Sequence, residues 1–273
     1  MTQRLFMPFM MAMMLFATSP ALPQVGQPAP VKRMPPTPAR MADGKPNWTG
    51  FWVAPGGMME VYRGPNWAVG SGGPVNVPTA RQRRQGLPEM KSPYKEQYEA
   101  YLKEPPGPAT RDASALCSPV GMPAMMGMIY GMELLQTPKT VAITSEFGPR
   151  TRRISMNEPL PEIDDVDPTY SGYSVGRWEG DVLVVETVGI RVEQVLGGNV
   201  PHSPKLKLTE RFFEKEPGML VIEMTVEDPD AFVAPWKETT RTYAYRGDYK
   251  LQEFWCTENN RGVDEETGLA KFK

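Results

Sequence analysis

The chain is expected to be mainly β, an antiparallel up-and-down barrel of the lipocalin or calycin kind with one short helix. Three observations lead there. Turn signals recur at short spacing, with Pro138-Lys139, Gly148-Pro149, Glu179-Gly180-Asp181, Glu216-Pro217-Gly218 and Gly247-Asp248 each parting two strand-forming runs. Two-residue alternation is plainest where Leu220, Ile222, Met224 and Val226 oppose Val221, Glu223, Thr225 and Glu227. Strands do not alternate with helices, which argues against doubly wound sheets and α/β barrels. A meander of about ten short strands must protect its edges, and closure removes them. A β-sandwich is the alternative, because the loops from Glu158 to Tyr170 and from Gly189 to Pro204 are long enough to cross between sheets.

In chain order, MTQRLFMPFMMAMMLFATSPALPQ places Arg4 before an apolar run from Leu5 to Ala17, followed by small residues Ser19 and Ala21. That is the layout of a secretory leader, residues 1–21, cut after Ala21. The run is too short to cross roughly 30 Å of hydrocarbon. No cysteine near the cut offers a lipid attachment point, so the expected location is periplasmic or secreted. Residues 22–46 hold seven prolines and read as a disordered Pro-rich linker. The barrel domain is assigned to residues 47–261, starting with strands in TGFWVA and MMEVYR and a Gly/Pro-rich loop from Gly64 to Arg84. In SPYKEQYEAYLKEPPGP, Tyr94, Tyr98 and Tyr101 share one face of a short helix, a packing stripe. Strands follow in MELLQT, TVAITSEF, RTRRISMN, YSVGRW, VLVVETVG, LKLTERFF, MLVIEMTV, ETTRTYAYR and KLQEFWCTE. Residues 262–273 form a polar tail.

Composition excludes several functions. With 30 Lys+Arg against 32 Asp+Glu and a net charge of −2, no basic run suits nucleic acid. A single histidine excludes the usual catalytic zinc sets and a two-histidine iron site. No Gly-rich phosphate loop opens a helix, and no cofactor is expected. In an oxidising compartment Cys117 and Cys256 are expected to form a disulfide, closing a loop of about 140 residues worth roughly 5 kcal/mol in the chain-entropy account.

The expected function is binding of a small hydrophobic or aromatic molecule in the barrel cavity. Strand parity puts Tyr173, Val175 and Arg177 on one face of YSVGRW and Ser174, Gly176 and Trp178 on the other; Arg241, Tyr243 and Tyr245 share a face of RTYAYR. Tyr173, Arg177, Trp178, Tyr243, Trp255 and Met128 are the candidate lining, although both faces of one strand cannot point inward. Rings, hydroxyls and guanidinium groups together suit an anionic or phenolic ligand with a flat apolar body. The competing placement turns Arg177 and Arg241 outward, into cross-strand pairs with Glu186 or Glu210.

Two further functions use the same residues differently. His202, in a proline-flanked loop at the barrel rim, could serve as general base of a cofactor-independent lyase, isomerase or hydratase. Asp167 or Asp165 would orient it, with Ser203, Ser174 or Tyr173 near the reacting group. No G-x-S-x-G elbow is present. Met122, Met125, Met126, Met128 and Met132 offer soft thioethers for a Cu(I) carrier, or a flexible apolar wall. The acidic run Glu162, Asp164, Asp165, Asp167 lacks the glycine and spacing of a calcium loop and reads as solvated.

Taken together, CSPVGMPAMM, ELLQTPKTVAI, DPTYSGYSVGRWEGDVLVVETVG, PHSPKLKLTERF and EFWCTENNR resemble a family of exported Gram-negative bacterial proteins that share a SxGRWEGDxLVVxT hairpin. In that family a histidine often stands at the place of Tyr173 and a His-Pro pair at Pro159-Leu160-Pro161. The resemblance implies export and brings no reaction with it. Gly50-Phe51-Trp52 also looks like the Gly-x-Trp opening of lipocalin-type barrels.

Overall fold

The hairpins foreseen at Pro138-Lys139, Gly148-Pro149, Glu179-Gly180-Asp181 and Glu216-Pro217-Gly218 form, the one at Gly247-Asp248 does not among the described residues, and ten strands join one sheet. A computed structural model describes residues 39–53, 87–103, 119–127, 130–148, 150–196, 199–238 and 240–253. The leader, most of the linker, MMEVYR, the Gly64 to Arg84 loop, Cys117, Cys256 and their expected bridge, Met128, Trp255 and the tail lie outside the described residues.

The strands are β1 (Gly50–Val53), β2 (Met132–Gln136), β3 (Thr140–Ser145), β4 (Arg150–Met156), β5 (Tyr173–Glu179), β6 (Val182–Val188), β7 (Lys207–Glu216), β8 (Met219–Glu227), β9 (Trp236–Lys237) and β10 (Arg241–Tyr245). They follow chain order round the sheet, and β10 pairs with both β1 and β8, which closes a 9-strand barrel. Turn chemistry sets the register where it can. Gly180, at φ 62, lets the β5–β6 hairpin turn between Glu179 and Val182, a conformation that disfavours a side chain.

The strictly up-and-down expectation needs one correction. β4 and β5 run parallel, with Ile154 beside Ser174 and Met156 beside Gly176. Parallel neighbours need a connection of about a dozen residues or more, and the stretch from Asn157 to Gly172 supplies it as a crossover. The remaining barrel seams are antiparallel.

ETTRTYAYR, read as one strand, is broken. β9 pairs Trp236 with Val226, Glu238 N–H bonds Met224 O at 2.9 Å, and β10 then pairs Arg241 with Ile222. Three steps along this strand match two along β8, so β9 and β10 are pieces of one strand parted by a bulge. It keeps Trp236 and Glu238 on the same side of the wall as Arg241 and Tyr243. Of KLQEFWCTE, the described residues 250–253 form no strand.

Large side chains fill the lumen: Trp52, Leu134, Ile143, Ile154, Leu183 and Phe212 are all fully buried. Trp48 packs on Trp178 at one end, ring centroids 5.1 Å apart, and its carbonyl accepts the Trp52 indole N–H at 2.8 Å. The other end is covered by Met122 and Met126 of a segment ending in the 3₁₀ turn Ala124–Gly127, by the β6–β7 loop, and by helix α1 (Tyr94–Tyr101) through Tyr98. Residues 39–46, expected to be disordered linker, form a turn with Arg40 bridged to Pro46 and paired with Asp181. No helix among the described residues is long and apolar enough to cross a membrane.

Candidate functional site

The crossover between β4 and β5 leaves a groove of about 600 Å³ on the outer face of their seam. β4 contributes Arg150, Thr151, Arg153 and Ser155; the crossover contributes Glu158, Pro159, Pro161 and Tyr170; β5 contributes Tyr173 and Val175. A second depression of about 350 Å³ shares Glu158 and Val175 and extends to Asn157, Leu160, Arg177 and Glu186.

Tyr170 is held from both sides. The preceding Thr169 donates to Gly189 O at 2.9 Å and accepts from Arg191 N–H at 3.0 Å, and Tyr170 O accepts from Met122 N–H at 2.9 Å. Met122 can approach because its neighbour is Gly121, where a Cβ would lie 2.0 Å from Tyr170 O. Two guanidinium groups approach the ring, Arg150 at 5.0 Å and Arg191 at 5.1 Å from its centroid, a cation–π arrangement that orients both.

Arginine pairing singles this groove out. Arg40, Arg152, Arg177, Arg191, Arg211, Arg241 and Arg246 each pair with a carboxylate. Among the described residues, Arg150 and Arg153 are the arginines without one, and both line the groove.

Sequence parity grouped Tyr173 with Arg177 correctly and left two placements open, lumen lining or an outward Arg177 paired with Glu186; the second is the one that forms. Their face is the outer one: Ser174 and Gly176 are buried, while Arg177 is half-exposed and bonds Glu186 at 2.6 Å. Lys207 and then Arg177 hold the Glu186 carboxyl below its ordinary range. The lumen-lining role expected of Tyr173 and Arg177 is therefore replaced by places in the two outer depressions. Trp178 does point inward, as core against Trp48. Tyr243 points inward too, its hydroxyl donating to Met126 O.

A charged layer crosses the lumen. Arg152 donates to Ser174 Oγ at 3.1 Å, to Thr187 Oγ1 at 2.9 Å and to both oxygens of Glu210, the nearer at Oε2. Arg241 Nη2 lies 2.5 Å from Glu238 Oε2. Burial opposes charge on Arg241, but Glu238, Tyr243 and Glu210 outweigh it and raise its pKa.

His202 is not at an open rim. It is 3% exposed, and Nδ1–H donates to Ser203 O at 2.8 Å, which leaves Nε2 the bare nitrogen of the ring. Burial pushes its pKa down against the neighbouring backbone carbonyls and Asp228. Ser203 instead serves Asp228, bonding it through Oγ at 2.7 Å and N–H at 2.6 Å. Asp165 and Asp167 are exposed on the crossover, and among the described residues no hydrogen bond joins His202, Asp167 and Tyr173. The four acids of the run 162–167 are exposed as well, around a short 3₁₀ turn. Met122, Met125 and Met126 are core side chains, and the described residues hold no His/Cys/Asp/Glu group fit for a metal.

Sequence reasoning missed Arg150, Arg153 and Tyr170. Its available signal was RTRR, three arginines in four residues of one strand, which two-residue alternation must distribute over both faces. Neither a protein-family model nor a curated protein matches the chain, so the functional reading rests on this geometry.

Proposed function

We propose that the chain is an exported, periplasmic or secreted barrel protein that binds a small aromatic or hydrophobic molecule, seated in the groove over the β4–β5 seam. One observation carries this reading: the groove combines two phenol rings, Tyr170 and Tyr173, with two prolines in about 600 Å³, within the usual range for small-molecule sites. The lumen offers less, since its described positions are occupied by large side chains. Flat rigid walls favour a flat partner, because Tyr and Pro bury area while ordering few torsions. The leader-like N-terminus supports export.

The probe for this reading is N-phenylnaphthylamine, a neutral aromatic dye that brightens in apolar surroundings. The full processed chain should bind it with saturable stoichiometry, and Tyr173→Ala should weaken it about tenfold, as expected for one lost ring face. Unchanged affinity in Tyr173→Ala would remove the groove as the site. Export is checked by sequencing the N-terminus of the processed protein, which should begin after Ala21.

A further inference from the structure

Resting on the groove as the ligand site, we infer that its ligand is a planar aromatic acid whose carboxylate or sulfonate lies at Arg150 and Arg153, with its ring body running over Val175 toward Leu160. Three observations converge on that class.

The first is unmet charge. The other described arginines all find carboxylates, and the exposed surface has acids to spare. Two guanidinium groups without such partners in one concave place are a donor set awaiting an acceptor.

The second is preorganisation. Arg150 stacks on Tyr170, whose backbone is fixed by Met122, while Gly189 and Arg191 fix the adjacent Thr169. Arg191, the second guanidinium against the ring, is tied to Glu193. Arg150 is therefore the arm of this stack left for a ligand. Arg153, projecting outward from β4, adds a second donor fork at the same wall. A guanidinium already held in place loses little freedom when an anion arrives.

The third sets the orientation. At the far end of the adjoining depression, Arg177 is neutralised by Glu186 and Glu179, and the surroundings are Val175 and Leu160. Glu158 stands where the two depressions meet and repels an anion from the junction. The acid group thus belongs at the β4 end and the apolar body at the Leu160 end.

The experiment compares two dyes on the full processed chain: anilinonaphthalene sulfonate and N-phenylnaphthylamine, the same ring system without the sulfonate. Fluorescence titration should show the sulfonate bound about tenfold more tightly, as charge-assisted contacts predict. Arg150→Gln and Arg153→Gln should each erase most of that preference, read as the ratio of the two affinities; Arg246→Gln, on another surface, should keep the ratio. Thermal unfolding reports whether each variant folds, and exposed Arg153 carries the test if Arg150→Gln does not. Equal affinity for both dyes, or a preference that survives both glutamine variants, overturns the anionic class and leaves the aromatic site standing. Failure to bind either dye overturns the site itself.

Discussion

Arg152 and Glu210 are 1% and 0% exposed and form a buried ion pair inside the lumen. Removing one partner strands a buried charge, and Arg152→Met should cost about 3–5 kcal/mol. Replacing both, Arg152→Met with Glu210→Leu, should recover most of that loss in urea unfolding, since the charge pair itself contributes little net stability. His202 acts in the opposite sense, buried neutral with a folded pKa below its ordinary 6.5. The unfolded chain binds the proton more readily, so the stability His202 lends is complete above 6.5 and is lost as pH falls through the folded value. Between about pH 7.5 and about pH 5 the urea midpoint should fall, and His202→Gln should flatten that slope. The carboxylates with lowered pKa, such as Glu179 and Glu186, lie below 4.5 and leave this window clear. At this scale the sequence revealed which residues share a strand face but not which face is inner. β6 shows why: Val184 and Val188, on its outer face, are as apolar as Leu183 and Val185 inside. In β5 the inner positions before Trp178 are Ser174 and Gly176, and a Cβ on Gly176 would lie 2.9 Å from Ile154 and Met156, so tight packing there looked like absence of core.

Hairpins were legible because a turn residue and its two runs are local; the crossover and the bulge were not. A loop's length allows a crossing without dictating one, and an extra residue between Glu238 and Arg241 leaves no mark in the apolar pattern. Two glycines separate the kinds of constraint these elements carry. Gly180→Ala meets no atom within 4 Å and should cost about 1 kcal/mol through backbone conformation alone, with dye binding unchanged. Gly121→Ala drives a methyl into Tyr170 O, breaking the tie from Met122. It should cost about 1–3 kcal/mol and also weaken dye binding, because the ring that forms the groove wall loses its anchor. Urea unfolding and the two dye titrations on both variants distinguish local strain from loss of the wall. The groove was hidden from sequence for the same reason: Arg150, Tyr170 and Met122 meet only after the crossover is laid down.

Barrel closure is the feature of the whole molecule that sequence argument reached, since a long meander with unprotected edges would invite association. β10 supplies it by pairing β1 with β8, joining the beginning and end of the described domain. With Trp48 against Trp178 at one end and the methionine turn at the other, no barrel strand stands free of the rest. Tryptophan fluorescence and far-ultraviolet circular dichroism should therefore lose signal at the same urea concentration; separate midpoints would show that the end plug opens independently of the wall.

A ring of alternating directions closes without conflict only when its members are even in number. This ring has 9, so one pair of neighbours must point the same way, like the mismatched pair in an odd ring of opposed magnets. The defect falls between β4 and β5, and the chain needed to step across it is the chain that builds the groove. An insertion or loss of one barrel strand would cancel the mismatch and, with it, the reason for the groove to exist.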